Sequence, residues 1–140
     1  MKHKASAVWQ GNLKEGKGSL TTASGVLSNT PYSFRTRFEG EKGTNPEELV
    51  GAAHSGCFSM AFSLILGEAG FTADKIATEA TITLEPKDGG FAVTSSHLNV
   101  VCSIPGIDDA KFQELAAMAK AGCPISKLLN CEISMDAKLA

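Results

Sequence analysis

The chain has 140 residues, 43% of them hydrophobic and 20% charged, which is enough for one compact domain with a real core and too little for two. Its net charge of −2, with a pI near 5.9, leaves no basic footprint for nucleic acid or an anionic membrane. The opening MKHKASAVWQ carries positive charge but no apolar stretch behind it, so the expectation is no secretory signal and a cytoplasmic location.

Residues 5–11 and 17–23 read as two strands joined by a Gly- and Lys-rich turn through Lys14–Gly16. After a short connection ending at Asn29–Pro31, the segment from Tyr32 to Phe38 alternates. It predicts a strand with Tyr32, Phe34, Thr36 and Phe38 on one face and Ser33, Arg35 and Arg37 on the other. Two guanidinium groups would then project together just upstream of the longest apolar segment.

That segment runs from Thr44 to Phe71. Asn45 is the expected N-cap, with Pro46 at the first helical position, where its missing N–H is not needed. Glu48 falls three residues after the cap and can close a capping box, and Glu47 is free of that duty. Both acids suit the positive end of the helix dipole, and Gly70 is the expected stop. Leu49–Leu66 is long enough to suggest a membrane span, but Gly51, His54, Ser55, Gly56, Ser59 and Ser63 interrupt it. A buried central helix is the better reading. The Ser55, Ser59, Ser63 stripe then suits close approach of another helix.

Residues 75–86 and 90–104 form a second predicted hairpin around Lys87–Gly90, with a phase change that places a bulge near Ser95–Ser96. Asp108 caps a helix through Ala121 whose apolar stripe is Phe112, Leu115, Ala116 and Ala119. Cys123–Pro124 begins a short helix to about Leu129, and Cys131–Leu139 alternates as a last strand. The sum is α+β, with two groups of antiparallel strands around a long buried helix in a single domain spanning 1–140.

The four cysteines, Cys57, Cys102, Cys123 and Cys131, match no zinc spacing and no CxxC pair. In a reducing compartment any pairing among them would be transient and chemical. Cys57 is either a small buried hydrophobe or a reactive thiol. A free thiol with a pKa of about 8.5 is mostly protonated at neutral pH, and an opposite charge within about 4–6 Å makes thiolate the main species. Arg35 and Arg37 are the cations at hand, and an arginine cannot give up its own proton. Cys123, at a helix start, is a second reactive candidate or an inert loop cysteine. Cys102 and Cys131 fall on the apolar parity of their strands and read as core. His54, one turn before Cys57, reads as a buried or interface histidine rather than a base.

Glu47 and Cys57 are ten residues apart, a rise of about 15 Å on a straight helix, so they cannot touch within one. Either Gly51 or Gly56 breaks the helix, or the acid and Arg37 meet a cysteine of a second copy. A helix apolar on all sides also needs more cover than a chain this small offers. Both arguments predict a homodimer with shared sites.

The stretch TRFEGEKGTNPEELVGAAHSGCFSMAFSLILGEAGF, with KAGCPISKLL downstream and WQGNLKEGKGSL at the start, resembles the OsmC/Ohr family of thiol peroxidases over essentially the whole chain. The osmotically inducible branch is the closer match. The organic-hydroperoxide-resistance branch places its arginine in the N-terminal hairpin, where this chain has Lys14 and Lys17, so Arg37 is the counterpart here. The resemblance implies an intertwined α+β homodimer active in osmotic and oxidative stress. It assigns Cys57 as the peroxide-attacking cysteine, Cys123 as the resolving one, and Glu47 as the carboxylate that orients Arg37, with Glu48 and Arg35 as secondary candidates.

The implied substrate is an organic hydroperoxide, with hydrogen peroxide a poorer one, and apolar neighbours such as Phe58, Met60 and Phe38 would set that preference. The implied cycle passes through a Cys57 sulfenic acid and a Cys57–Cys123 disulfide. An external dithiol of the lipoyl type recycles it, with no metal or cofactor and no nucleic-acid or membrane partner. The rival reading is a non-catalytic dimeric stress protein that holds an apolar ligand at its interface.

Overall fold

The computed structural model describes all residues, Met1–Ala140. It contains two compact units, Met1–Leu49 and Val50–Ala140.

In the first unit, β1 (Ala5–Gln10), β2 (Lys17–Thr22) and β3 (Thr30–Tyr32) form an antiparallel sheet in that order. Pro31, which has no N–H to donate, sits in the edge strand β3. The predicted strand over 32–38 is not formed; after Tyr32 the chain turns into a single-turn helix, α1 (Phe34–Phe38). The cause is a reciprocal capping box. Ser33 Oγ accepts from the Thr36 amide at 3.2 Å, and Thr36 Oγ1 accepts from the Ser33 amide at 2.9 Å. This local hydrogen bonding overrides the period-two alternation. No apolar side chain of this unit is buried.

Helix α2 (Pro46–Glu68) is unbroken through Gly51 and Gly56. It starts as the sequence predicts, with Asn45 Oδ1 accepting from the Glu48 amide at 2.9 Å. The Glu48 carboxylate does not close a capping box; it accepts from the Thr44 hydroxyl at 3.0 Å. Gly70, at φ +88°, ends the helix with the Phe71 amide reaching back to the Leu66 carbonyl at 2.8 Å. The helix is long and apolar enough to cross a membrane by length and composition.

The second unit holds β4 (Lys75–Lys87), β5 (Gly90–Ser103) and β6 (Glu132–Leu139) in one sheet. Asp88 and Gly89, both at positive φ, make the tight turn between β4 and β5. The register slips between Thr83 and Leu84 and leaves Thr94 unmatched, one residue before the predicted bulge. The second group is not wholly antiparallel as expected: β6 pairs parallel to β5, because the crossover through α3 (Asp109–Gly122) and α4 (Pro124–Leu128) returns the chain to the same end of the sheet. Asp108 caps α3 by accepting from the Lys111 amide at 2.8 Å.

Phe58, Phe62 and Leu66 of α2 pack with Leu98, Val100 and Cys102 of β5 and with Phe112, Leu115, Ala116 and Ala119 of α3. Each fully buried large side chain of this kind is worth about 1.5–3 kcal/mol of transfer free energy. Gly51 lets the helix approach the sheet, since a Cβ there would lie 3.2 Å from the Ala80 carbonyl. The expected all-round burial of α2 does not hold within one chain. Gly51, His54, Phe58, Phe62 and Leu66 form one buried stripe, while Met60 and Leu64 on other faces are 77% and 64% exposed. Nor does the serine stripe meet another helix: Ser59 bonds Thr78 of β4 at 2.8 Å, and Ser63 is exposed.

Candidate active site

In the first unit, Arg37 on α1 and Glu47 in the first turn of α2 form a two-point ion pair. Nη2 donates to Oε1 at 2.6 Å and Nε to Oε2 at 3.1 Å. The hydrogen bond to Glu47 raises the Arg37 pKa above its ordinary value; burial opposes it, and the Glu47 charge adds to it. The guanidinium carbon also lies 5.4 Å from the centre of the Phe38 ring. Beside it is a hollow of about 290 Å³ lined by Trp9, Leu13, Tyr32, Ser33, Phe34, Arg37 and Phe38.

Arg35, expected on the same face as Arg37, is not there. On a helix, residues two apart point in nearly opposite directions, and Arg35 pairs with Glu39 and Glu41 at 3.5 and 3.6 Å, largely in solvent. Glu48 serves the helix start.

In the second unit, Cys57 in the middle of α2 and Cys123 between α3 and α4 bring their Sγ atoms to 2.9 Å. Both are free thiols, Cys123 fully buried and Cys57 partly so. Burial and then the hydrogen bond to Cys123 push the Cys57 thiol up, against a smaller pull from the Ile125 amide. Burial also acts upward on Cys123. There the combined hydrogen bonds of Cys57, the Ser126 amide and hydroxyl, and the Ile125 amide outweigh it and bring the thiol down. Within this unit the two thiols are shifted in opposite directions, Cys57 up and Cys123 down, and no cation is among the groups acting on Cys57.

Of the remaining sequence candidates, Cys102 is core, with its thiol pushed up to about 11 by burial. Phe58, expected near substrate, is fully buried in the core and cannot line an open pocket. His54 is buried too and bonds two serines, Ser96 at 2.7 Å and Ser126 at 2.8 Å. Those serines escaped the sequence reading; the available signal was Ser126 three residues after Cys123, at the start of the same short helix. No group of three or more His, Cys, Asp or Glu side chains is placed to hold a metal ion.

Comparison with known proteins adds an independent line. Residues 39–138 match the family model described as OsmC-like protein. The chain is 55% identical to Peroxiredoxin OsmC of Escherichia coli K12, over 97% of this chain and 95% of that one. It is 30% identical to the organic hydroperoxide resistance protein OhrB of Bacillus subtilis, over 86% of this chain and 89% of that one. The crystal structure of Bacillus subtilis OhrB superposes with a TM-score of 0.74 at 28% identity, covering 98% of each chain.

Proposed function

This chain belongs to the OsmC-like family, in its OsmC branch, and on that premise we propose the cycle by which it reduces hydroperoxides. The protein is a thiol-dependent peroxidase. The observation that carries the cycle is the 2.9 Å approach of Cys57 and Cys123 sulfurs that lie 66 residues apart in sequence.

Cys57, as thiolate, attacks the outer oxygen of a hydroperoxide. The O–O bond breaks, the alkoxide takes a proton and leaves as alcohol, and Cys57 becomes a sulfenic acid. Cys123 then attacks the Cys57 sulfur; an S–S bond forms, the S–O bond breaks, and hydroxide leaves as water. An external dithiol of the lipoyl type returns both residues to thiols. That need for repeated reduction suits a cytoplasmic location.

For Cys57 to hold the charge, a cation must be brought to it. We assign that role to Arg37, oriented by Glu47 and contributed by the second subunit of a homodimer. Three features support the assignment. Helix α2 is unbroken, which leaves the second-copy alternative. Met60 and Leu64 stand uncovered on α2. The first unit has no buried apolar side chain of its own and needs an outside surface to pack on. The apolar hollow beside Arg37 would take the organic part of the peroxide, which favours alkyl hydroperoxides over hydrogen peroxide.

One equivalent of cumene hydroperoxide added to the reduced protein should yield a Cys57–Cys123 disulfide by mass spectrometry, and Cys57→Ser should abolish peroxide consumption. A Cys57→Ser variant that consumes peroxide at the wild-type rate would sink the reading in favour of a ligand-binding dimer.

A further inference from the structure

The hollow beside Arg37 is lined chiefly by rings: Trp9 of β1 and Tyr32 of β3 on the sheet side, Phe34 and Phe38 on the α1 side. The cycle above asks of them only that they be apolar, yet the sheet side is built to hold two rings in one place. Trp9, Gly18 of β2 and Tyr32 stand opposite one another in register, so all three share one face of the sheet. Gly18 puts no side chain between the rings. A Cβ there would lie 2.7 Å from both Trp9 Cε3 and Tyr32 Cζ, closer than packed carbons allow. A Cβ at Gly16 would lie 2.9 Å from Trp9 Cζ2. The six-membered ring of the indole is thus laid across two bare stretches of backbone, with Tyr32 against it over Gly18.

The orientation of these rings is fixed as well as their place. Trp9 Nε1 donates to the Gly11 carbonyl at 3.1 Å, which sets the rotation of the indole and satisfies its one N–H outside the hollow. Trp9 and Tyr32 have ring centres 5.5 Å apart at a tilt of 57°, and Phe34 and Phe38 have theirs 4.9 Å apart at 41°. Tilted contacts at this spacing are the ones aromatic rings favour, because edge and face carry opposite partial charge. A further ring among them can make the same contacts; a saturated ring of equal bulk cannot. An aryl group is also stiff and loses little internal freedom on entry, unlike a flexible chain. Arg37 is the one charged residue in the lining, and its guanidinium carbon is 5.4 Å from the Phe38 ring centre. The aromatic lining therefore begins beside the charged end of the hollow. At about 290 Å³ the hollow is at the small end of ligand pockets, which suits one ring better than a long acyl chain.

We propose that Trp9 and Tyr32, seated over Gly18, are specificity-determining residues: they form a rigid aromatic subsite that selects compact aralkyl hydroperoxides, with an aryl group on the carbon that bears the peroxide, over saturated hydroperoxides of the same size. The proposal rests on the assignment of Arg37 and its hollow to the reacting peroxide, and it names the substrate class of that site. The chemistry at sulfur is unchanged. The outer oxygen goes to Cys57, the O–O bond breaks, and the aryl group leaves on the alcohol.

The test sets cumene hydroperoxide against 2-cyclohexyl-2-propyl hydroperoxide, which has the same tertiary peroxide and carbon count but a saturated ring. With a dithiol reductant, kcat/KM of the wild-type protein should be about tenfold higher for the aryl substrate. Trp9→Leu and Tyr32→Leu keep the wall apolar and should erase that difference. Gly18→Ala, which pushes both rings aside, should do the same. The ratio is read within each protein, so a smaller folded fraction in a variant cancels. Equal kcat/KM for the two substrates in the wild type overturns the proposal, and so does a Trp9→Leu variant with the wild-type ratio. A second readout needs neither turnover nor substitution. Calorimetric titration of the reduced wild type with the product alcohols, 2-phenyl-2-propanol and 2-cyclohexyl-2-propanol, should find the first bound about tenfold more tightly. Equal affinities also overturn the proposal. Rapid reduction of both hydroperoxides at equal rates would remove the subsite and leave the cycle standing, whereas failure of the wild type to reduce either would bring down the cycle itself.

Discussion

Arg37 and Glu47 meet through two parallel hydrogen bonds, at 2.6 and 3.1 Å, in a fork that only a guanidinium can make with a carboxylate. A lysine has charge but no fork, so Arg37→Lys should keep the fold and lower kcat/KM for cumene hydroperoxide by about 10²–10³-fold. Glu47→Ala leaves the cation but frees its orientation, and a loss of about 10²-fold is expected from misplacement alone. Steady-state assays with a dithiol reductant measure both. Arg35→Ala, at a solvent-exposed pair, should change the rate by less than about twofold.

The uncovered side of α2 makes a prediction about assembly. Leu64 is 64% exposed in the single chain. Placed in an apolar interface, Leu64→Glu would bury a carboxylate without a partner, at a cost of several kcal/mol. The dimer dissociation constant should rise more than about a hundredfold. Analytical ultracentrifugation at micromolar concentration should then find wild type as dimer and the variant as monomer, with peroxidase activity lost alongside. A monomeric, fully active wild type would contradict the shared-site arrangement.

Burial of His54 has a stability signature. Its folded pKa lies below the unfolded value of about 6.5, so the unfolded chain binds this proton first as pH falls. Its effect on stability is therefore fully present above about pH 6.5. It is lost on acidification toward the lowered folded pKa, with a slope of at most about 1.4 kcal/mol per pH unit. Urea denaturation between pH 5 and 8 should show this decline in wild type, and His54→Phe should flatten it.

The cysteines should separate by alkylation. With its thiol pushed up to about 11 inside the core, Cys102 should resist iodoacetamide at pH 7.5 until the protein is unfolded. Labelling of Cys102 in the native state at the rate of a free thiol would contradict the packing described for β5.

Local chemistry was the most readable part of the sequence. Asn45–Pro46, Asp108, Gly70 and the Phe112–Ala119 stripe each encode their own element in a few adjacent residues, and each stands in the structure where expected. The same reasoning failed over 32–38. There an alternating apolar pattern outvoted the Ser33–Thr36 capping box, and a one-turn helix is too short to show a helical period. The apolar composition of α2 was legible, but composition does not say which face this chain covers itself. The approach of Cys57 to Cys123 depends on a parallel crossover and had no signature in spacing; it was anticipated through family resemblance. Ser96 and Ser126 were invisible because a serine looks the same in a loop, a cap or a buried network.

The hollow beside Arg37 also contains Trp9, the single tryptophan of the sequence, tilted against Tyr32 with ring centres 5.5 Å apart. No other indole contributes emission, so intrinsic fluorescence reports on this one location. A non-reactive alcohol or ether shaped like the substrate should alter the wavelength and yield of Trp9 as it fills the hollow. Occupancy thereby becomes an optical signal that can be titrated with no turnover.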